Sequence, residues 1–359
     1  MILDRPLKAA LVGCGAVSKL YYTPALQKLE SQKQLQVAAL FDPNPANLTE
    51  IHKVFPAAVP VGEFDGIKDL ELDLAIIASP PQYHARQTIQ LLQSGLSVLC
   101  EKPMALSVAE GEAMASAAAD AQRLLAIGLF RRFLPATRTI HHILSQNILG
   151  AVQSFSCDEG RIFRWPVQSA SYFHQNGVLR DIGVHVLDLL AWWWGEPEEI
   201  SYEDDAMGGV ELNCRAHLKF PQGFTGDVSL SREFRLPNVY SIQCENGRIN
   251  WDIDETNKIR VEFFDTGYYL DADLRRMSRN GKNLIAPGPI AEDFHECFVN
   301  QLKNFIAAIH GTEELALPAE EGLRSLRMID ECYSHRSLIK MPWLGEQEVM
   351  RARQLQDGV

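Results

Sequence analysis

The sequence predicts an α/β protein: an N-terminal doubly wound parallel sheet followed by a C-terminal α+β domain with an antiparallel or mixed sheet. Three observations predict it. Apolar strands alternate with helical patterns through the first 130 or so residues, and the first strand runs into a glycine turn. From about residue 210 to 264, strand patterns then follow one another with no helix between them. A chain of 359 residues is long enough for two ordinary domains, expected at 1–131 and 132–359.

The first strand is the apolar run Lys8–Val12. It enters Gly13-Cys14-Gly15-Ala16-Val17-Ser18, and Leu20, Ala25, Leu26 and Leu29 then repeat near 3.6 residues, predicting a helix to about Glu30 that Pro24 kinks or delays. Leu35–Phe41 reads as the second strand, stopped by Asp42-Pro43-Asn44-Pro45. Leu72–Ala78 is apolar without alternation, as a parallel strand covered on both faces should be. A helix over Tyr83–Ser94 ends at Gly95, a strand spans Ser97–Cys100, an alanine-rich helix Ala105–Ala121, and Leu124–Phe130 closes the series. Such alternation is that of right-handed βαβ units.

Beyond residue 131 the pattern changes. A helix is expected over Leu134–Gln146, a strand over Val152–Asp158 and a helix over Asp181–Trp194, whose Trp192-Trp193-Trp194 reads as packing. Strands follow at Val210–Phe220, Thr225–Ser231, Val239–Cys244, Arg248–Asp252 and Ile259–Phe264, with Glu245-Asn246-Gly247 as a hairpin turn. Thr266–Pro289 reads as a long irregular loop, and helices over Ile290–His310 and Pro318–His335 come last.

Composition narrows the function. The formal charge is −12 with no basic block, which argues against nucleic acid and anionic membranes as partners, since both are held by Lys and Arg. Seven cysteines are scattered with none in a C-x-x-C, so neither a disulfide framework nor a zinc clamp is indicated, and a cytoplasmic location is expected. Leu11-Val12-Gly13-Cys14 after Lys8 also looks like a short signal segment, but Asp4 in the would-be positive region favours a buried strand. No apolar run reaches the roughly 18 residues that span a bilayer.

Three constellations could carry chemistry. In Gly13-x-Gly15-x-x-Ser18 the first glycine permits a tight turn, and the second lets a pyrophosphate approach the backbone of Gly15, Ala16 and Val17 at a helix N-terminus. Ser18 stands where the strict fingerprint has Gly or Ala, which is expected to loosen helix–strand packing. Asp42, ending the second strand, can accept both ribose hydroxyls of an adenosine and repels a 2′-phosphate, favouring NAD over NADP; the alternative is a turn-initiating Asp before Pro43. Glu101-Lys102-Pro103 follows a strand, so Lys102 lies where open parallel sheets bind ligands, unless it is simply solvated. In Asp181-Ile182-Gly183-Val184-His185-Val186-Leu187-Asp188, Asp181, His185 and Asp188 fall on one helix face, an arrangement suited to a general acid/base; the alternative is Asp181 as N-cap and His185 as a core residue. A metal is not expected.

Gly13-x-Gly15, Glu101-Lys102-Pro103 and Asp181-x-Gly183-x-His185-x-x-Asp188, in that order, resemble the glucose–fructose oxidoreductase / inositol dehydrogenase (Gfo/Idh/MocA) family over nearly the whole chain. The resemblance implies a Rossmann domain and a second domain built on a large open, mainly antiparallel sheet and used for assembly into a homodimer or homotetramer. It also implies hydride transfer between NAD(P) and a hydroxyl or carbonyl carbon of a sugar, sugar derivative or cyclitol. Lys102 would bond the reacting hydroxyl, His185 act as general acid/base, and Asp181 bind substrate and tune the histidine. Ser79, Pro80, His84 and Glu101 match cofactor-flanking positions, and Arg131, Arg164, Trp165 and Asp188 are candidates for substrate contact. A non-catalytic nicotinamide-binding sensor, and redox-neutral NAD-dependent glycoside cleavage or epimerisation, are the competing readings.

Overall fold

Residues 5–162, 177–207, 209–273, 294–340 and 345–356 are described by the structure, a computed structural model. Leu7–Val12 forms β1, at the centre of a six-stranded sheet with β2 (Leu35–Phe41), β3 (Val59–Val61), β4 (Leu74–Ile77), β5 (Ser97–Cys100) and β6 (Leu125–Ile127). The order is β3-β2-β1-β4-β5-β6 and every pairing is parallel. Each β4 and β5 residue is buried, because helices cover both faces and leave no polar side to alternate with. The covering helices are α1 (Thr23–Ser31), α2 (Pro45–His52), α3 (His84–Gln93) and α4 (Val108–Ala121).

Of the helices on this sheet, the first shows the delay expected at Pro24 and the fourth starts later than expected. The first helical run is wide at Ser18–Tyr22, a π turn, and becomes α-helical only at Thr23, with Pro24 its second α-helical residue. α4 begins at Val108 rather than Ala105, because the Ser107 hydroxyl caps it by accepting the Glu110 N–H at 3.2 Å.

Among the described residues the second sheet has nine strands, in the order β14-β13-β12-β11-β7-β10-β9-β8-β15. α5 (Pro135–Ser145) precedes β7 (Val152–Gly160), and α6 (Val184–Trp194) precedes β8 (Glu199–Asp204), β9 (Asn213–Lys219) and β10 (Thr225–Ser231). β11 (Val239–Cys244), β12 (Gly247–Asp252), β13 (Lys258–Phe263) and β14 (Tyr268–Asp273) follow. α7 (Phe294–Ile309), α8 (Ala319–Ser334), β15 (Arg336–Leu338) and α9 (Glu346–Gln356) complete the chain. Most neighbours are antiparallel; β7 with β10 and β8 with β15 are the parallel pairs. Along β9, Cys214, Ala216 and Leu218 are buried while Arg215 and His217 are exposed, the alternation of a sheet covered on one face. α6 contributes to the cover: Trp193 meets Tyr240 edge-on and Trp194 packs against Phe155, Phe220 and Phe224.

The expected loop from Thr266 is corrected at its start. Tyr268–Asp273 is a strand, paired with β13 from Phe263↔Tyr268 to Lys258↔Asp273 and fastened by the Arg260–Asp271 ion pair. The chain forms two compact units. The first holds the parallel sheet and the described residues of 5–133 together with 294–326; the second holds the nine-stranded sheet and the described residues of 134–162, 177–273 and 327–356. Among the described residues no helix is long and apolar enough to cross a membrane.

Candidate cofactor and catalytic sites

In the first unit the strand order reverses between β1 and β4, and the carboxyl edge at such a switch point is where open parallel sheets bind ligands. Gly13 stands there with φ +90°. A Cβ on it would lie 2.6 Å from the Ser79 amide nitrogen and 2.7 Å from the Ala78 carbonyl, so only glycine fits. A Cβ on Gly15 would meet nothing within 4 Å, which leaves that backbone open to a ligand. Ala16 is buried and Val17 half-buried in the helical run that follows.

Ser18 proves to be a tie rather than a loosening: fully buried, its hydroxyl donates to the Gly13 carbonyl at 2.5 Å and closes the turn. Asp42 holds the same turn from β2. One carboxylate oxygen accepts the Cys14 N–H at 2.7 Å and the other the Asn44 N–H at 2.8 Å, so it is a turn-forming Asp and a brace of the glycine loop at once. Each oxygen keeps a lone pair for a further donor.

Ser79 and Pro80 follow β4, Ser79 half-buried and Pro80 exposed; the Ser79 hydroxyl donates to Gln87 at 2.5 Å. His84 is wholly buried, its ring nitrogens 2.9 Å from the Pro103 carbonyl and 2.8 Å from the Ser79 carbonyl, and burial pushes its pKa down. It thus ties the segment after β4 to the one after β5. Glu101 is also buried. It accepts from the Tyr22 hydroxyl at 2.7 Å and the Lys102 N–H at 3.0 Å, and burial pushes its carboxyl above the usual range. Lys102, half-buried, precedes a cis peptide to Pro103. Both His84 and Glu101 therefore shape the loops from beneath. Arg131 is half-buried, and its neighbour Arg132 is buried and paired with Glu321 at 2.5 Å.

In the second unit the Asp181 helix starts earlier than expected. Its first residues, Leu179–Gly183, form a π turn that α6 continues, so Asp181 lies inside the helical run and is not an N-cap. The wider turn also changes the angular relation of Asp181 to His185 and Asp188 from the simple column that α-helical spacing predicts. His185 is 5% and Asp188 1% exposed. Gly183 allows a close approach: a Cβ there would be 2.9 Å from Leu230 and 2.7 Å from Leu179, so the turn sits directly on β10. Arg164 and Trp165 lie outside the described residues.

Two side chains escaped the sequence reading. Arg232, just past β10, is buried and ion-paired with Asp181. Residues 228, 230 and 232 share a face by strand alternation, which is the signal that could have found it. Glu211 anchors the start of the helix: its carboxylate accepts the Leu179 N–H at 3.0 Å and the Tyr333 hydroxyl at 2.8 Å, and faces Arg336 at 3.3 Å. Burial pushes its carboxyl up. Arg336 also reaches the buried Asp204 at 2.6 Å. Among the described residues no group of three or more His, Cys, Asp or Glu could hold a metal ion.

A parallel sheet of this order, with an open glycine turn and an acid at the end of its second strand, defines a dinucleotide-binding protein. The profile of the oxidoreductase family with an NAD-binding Rossmann fold matches residues 7–129, and that of the GFO/IDH/MocA C-terminal domain residues 137–250. The chain belongs to the Gfo/Idh/MocA family of oxidoreductases. It is similar to trans-1,2-dihydrobenzene-1,2-diol dehydrogenase of Sus scrofa, 25% identical over 249 residues that cover 67% of this chain and 72% of that one. A levoglucosan dehydrogenase solved with NADH and levoglucosan shares the fold at TM-score 0.80 and 19% identity, covering 92% of this chain and 97% of the other. An aldose-aldose oxidoreductase from Caulobacter crescentus, solved with glycerol, does so at TM-score 0.78 and 24% identity, again covering 92% and 97%.

Proposed function

We propose that this protein is a dehydrogenase that oxidises a secondary hydroxyl of a sugar, sugar derivative or cyclitol, or reduces the matching carbonyl, with NAD favoured over NADP. The observation that carries the reading is the gathering of Gly13, Asp42, Ser79 and Lys102 at one carboxyl edge of the parallel sheet. The residues present fit the cofactor: the open backbone at Gly15 suits a pyrophosphate, and the Asp42 carboxylate suits ribose hydroxyls while opposing a 2′-phosphate. When bound, the nicotinamide supplies the two-electron chemistry of hydride transfer.

In this reading Lys102 donates a hydrogen bond to the reacting oxygen and lowers the cost of negative charge there. The His185 imidazole removes the hydroxyl proton during oxidation and returns it during reduction. Asp181 binds substrate and stabilises the charged imidazole. Glu101 and His84 support the Lys102 loop from within, and the anchoring of Leu179 by Glu211 supports the helix that carries His185. Dinucleotide binding is assigned to residues 1–131, and substrate binding and assembly into a homodimer or homotetramer to 132–359, of which 294–326 pack with the first unit. The location is cytoplasmic. The dehydrogenases of diols and anhydrosugars among its relatives support a vicinal polyol as substrate.

The experiment is a panel of polyols, aldoses and cyclitols with NAD+ and NADP+, followed at the nicotinamide absorbance. Reduction of NAD+ by at least one member supports the proposal. Conversion of a sugar with no net absorbance change assigns redox-neutral chemistry instead, and binding without conversion assigns a sensor.

A further inference from the structure

Arg232 has no part in the chemistry described so far, yet the fold holds it firmly against that site. The close seat of Gly183 on Leu230 brings the Leu179–Gly183 turn onto β10, and Arg232 emerges two residues beyond Leu230. Its backbone is tied down on each side. The Arg232 N–H donates to the Leu212 carbonyl at 2.9 Å, and the Ser231 hydroxyl accepts the Glu233 and Phe234 N–H groups at 3.1 and 2.7 Å while donating to Asn213 at 2.6 Å. The guanidinium side chain is 7% exposed and donates to the Asp181 carboxylate, itself 22% exposed. A pair buried to this degree is screened little by solvent, and each ion depends on the other.

We infer that Arg232 is a positioning residue: it fixes the direction of the Asp181 carboxylate and balances its charge, and so sets the electrostatic field at His185. This rests on the roles proposed above for Asp181 and His185. Without Arg232 the Asp181 carboxylate loses that guanidinium's opposing charge and acts more strongly on an imidazole four residues along the same helix. With Arg232 alone, a positive charge opposes imidazolium formation. The other charged groups on the elements around the turn, Arg180 over the Tyr333 ring, Glu211 with Leu179, Tyr333 and Arg336, and Glu159 with Tyr240, are the same in every variant compared below, so their fields drop out of the differences. Asp188, on α6 itself, is buried.

The test follows the His185 ring by NMR in protein labelled with ¹⁵N-histidine, the signal being identified by its absence in His185→Ala. Arg232→Met is expected to raise the His185 titration midpoint by about half a pH unit or more, because taking a positive charge out of the pair with Asp181 favours the imidazolium. Asp181→Asn is expected to lower it by a similar amount, the double variant to return close to wild type, and Arg232→Lys to restore most of the wild-type value. A purely structural role for Arg232 would not give opposite signs that cancel. If Arg232→Met fails to fold, Asp181→Asn against Asp181→Asn/Arg232→Met isolates the same charge, with the midpoint rising in the double variant. A midpoint lowered by Asp181→Asn yet indifferent to Arg232 overturns the inference and leaves the acid/base reading standing. A His185→Ala protein that still turns over polyol overturns that reading instead, whatever the titration shows.

Discussion

Gly13 and Gly15 are two residues apart in one turn, yet substitution by alanine should do opposite things. At Gly13 an alanine takes φ +90°, where an L residue costs about 1–2 kcal/mol. Its methyl also lands 2.6–2.7 Å from Ser79 and Ala78 backbone atoms. Those atoms cannot retreat cheaply, because the Ala78 N–H donates to Val12 at 2.8 Å and the Gly13 N–H to Phe41 at 2.8 Å. Overpacking of this kind adds about 1–3 kcal/mol, so Gly13→Ala should lose roughly 2–5 kcal/mol of stability. At Gly15 the methyl meets nothing, so Gly15→Ala should stay within about 0.5 kcal/mol of wild type. It should nevertheless bind NADH at least about tenfold more weakly, because the methyl occupies the space a pyrophosphate needs. Urea denaturation reads the first quantity and NADH fluorescence titration the second. A Gly15→Ala protein with wild-type NADH affinity, or one as destabilised as Gly13→Ala, would refute the assignment of this turn.

Two further outcomes follow from the same unit. Asp42→Ala should weaken NADH by about 10–100-fold, the loss of hydrogen bonds to a charged acceptor, and weaken NADPH less; paired fluorescence titrations check this, and an unchanged ratio contradicts the ribose role. Because burial raises the Glu101 pKa, the native chain holds that proton more tightly than the unfolded one, so its contribution to stability is present at low pH and lost as pH rises from about 4.5 through the raised value. Glu101→Gln removes that slope, and the difference in Tm, variant minus wild type, should grow with pH over this window. A constant difference contradicts the buried, proton-holding carboxyl.

The parallel sheet was legible because its strands are short apolar runs, such as Leu74–Ile77, that need no partner to be recognised. Elements held mainly by neighbours were not. β3 is a three-residue edge strand with two exposed residues and a central proline, and β14 exposes Tyr268 and Tyr269 and takes its register from β13. β8 ends in Glu203 and Asp204, and its last residue is held by Arg336, 132 residues away, a partner no local pattern points to. The site shows the same division. Glycine turns and the Asp/His helix are local and could be read from spacing, whereas the ion pair to Arg232 joins residues 51 apart, and the hold of Glu211 on Leu179 joins residues 32 apart. The π turns at Ser18–Tyr22 and Leu179–Gly183 leave no mark in the hydrophobic period, since each is a one-turn change in an otherwise helical run.

The most direct measurement compares wild type with His185→Ala in the rate of NAD+ reduction by an active polyol, with NADH affinity measured in parallel. Loss of turnover by about 10²–10⁴-fold with affinity unchanged is the result expected of a general acid/base. A variant that keeps its rate, or loses rate and NADH binding together, contradicts it.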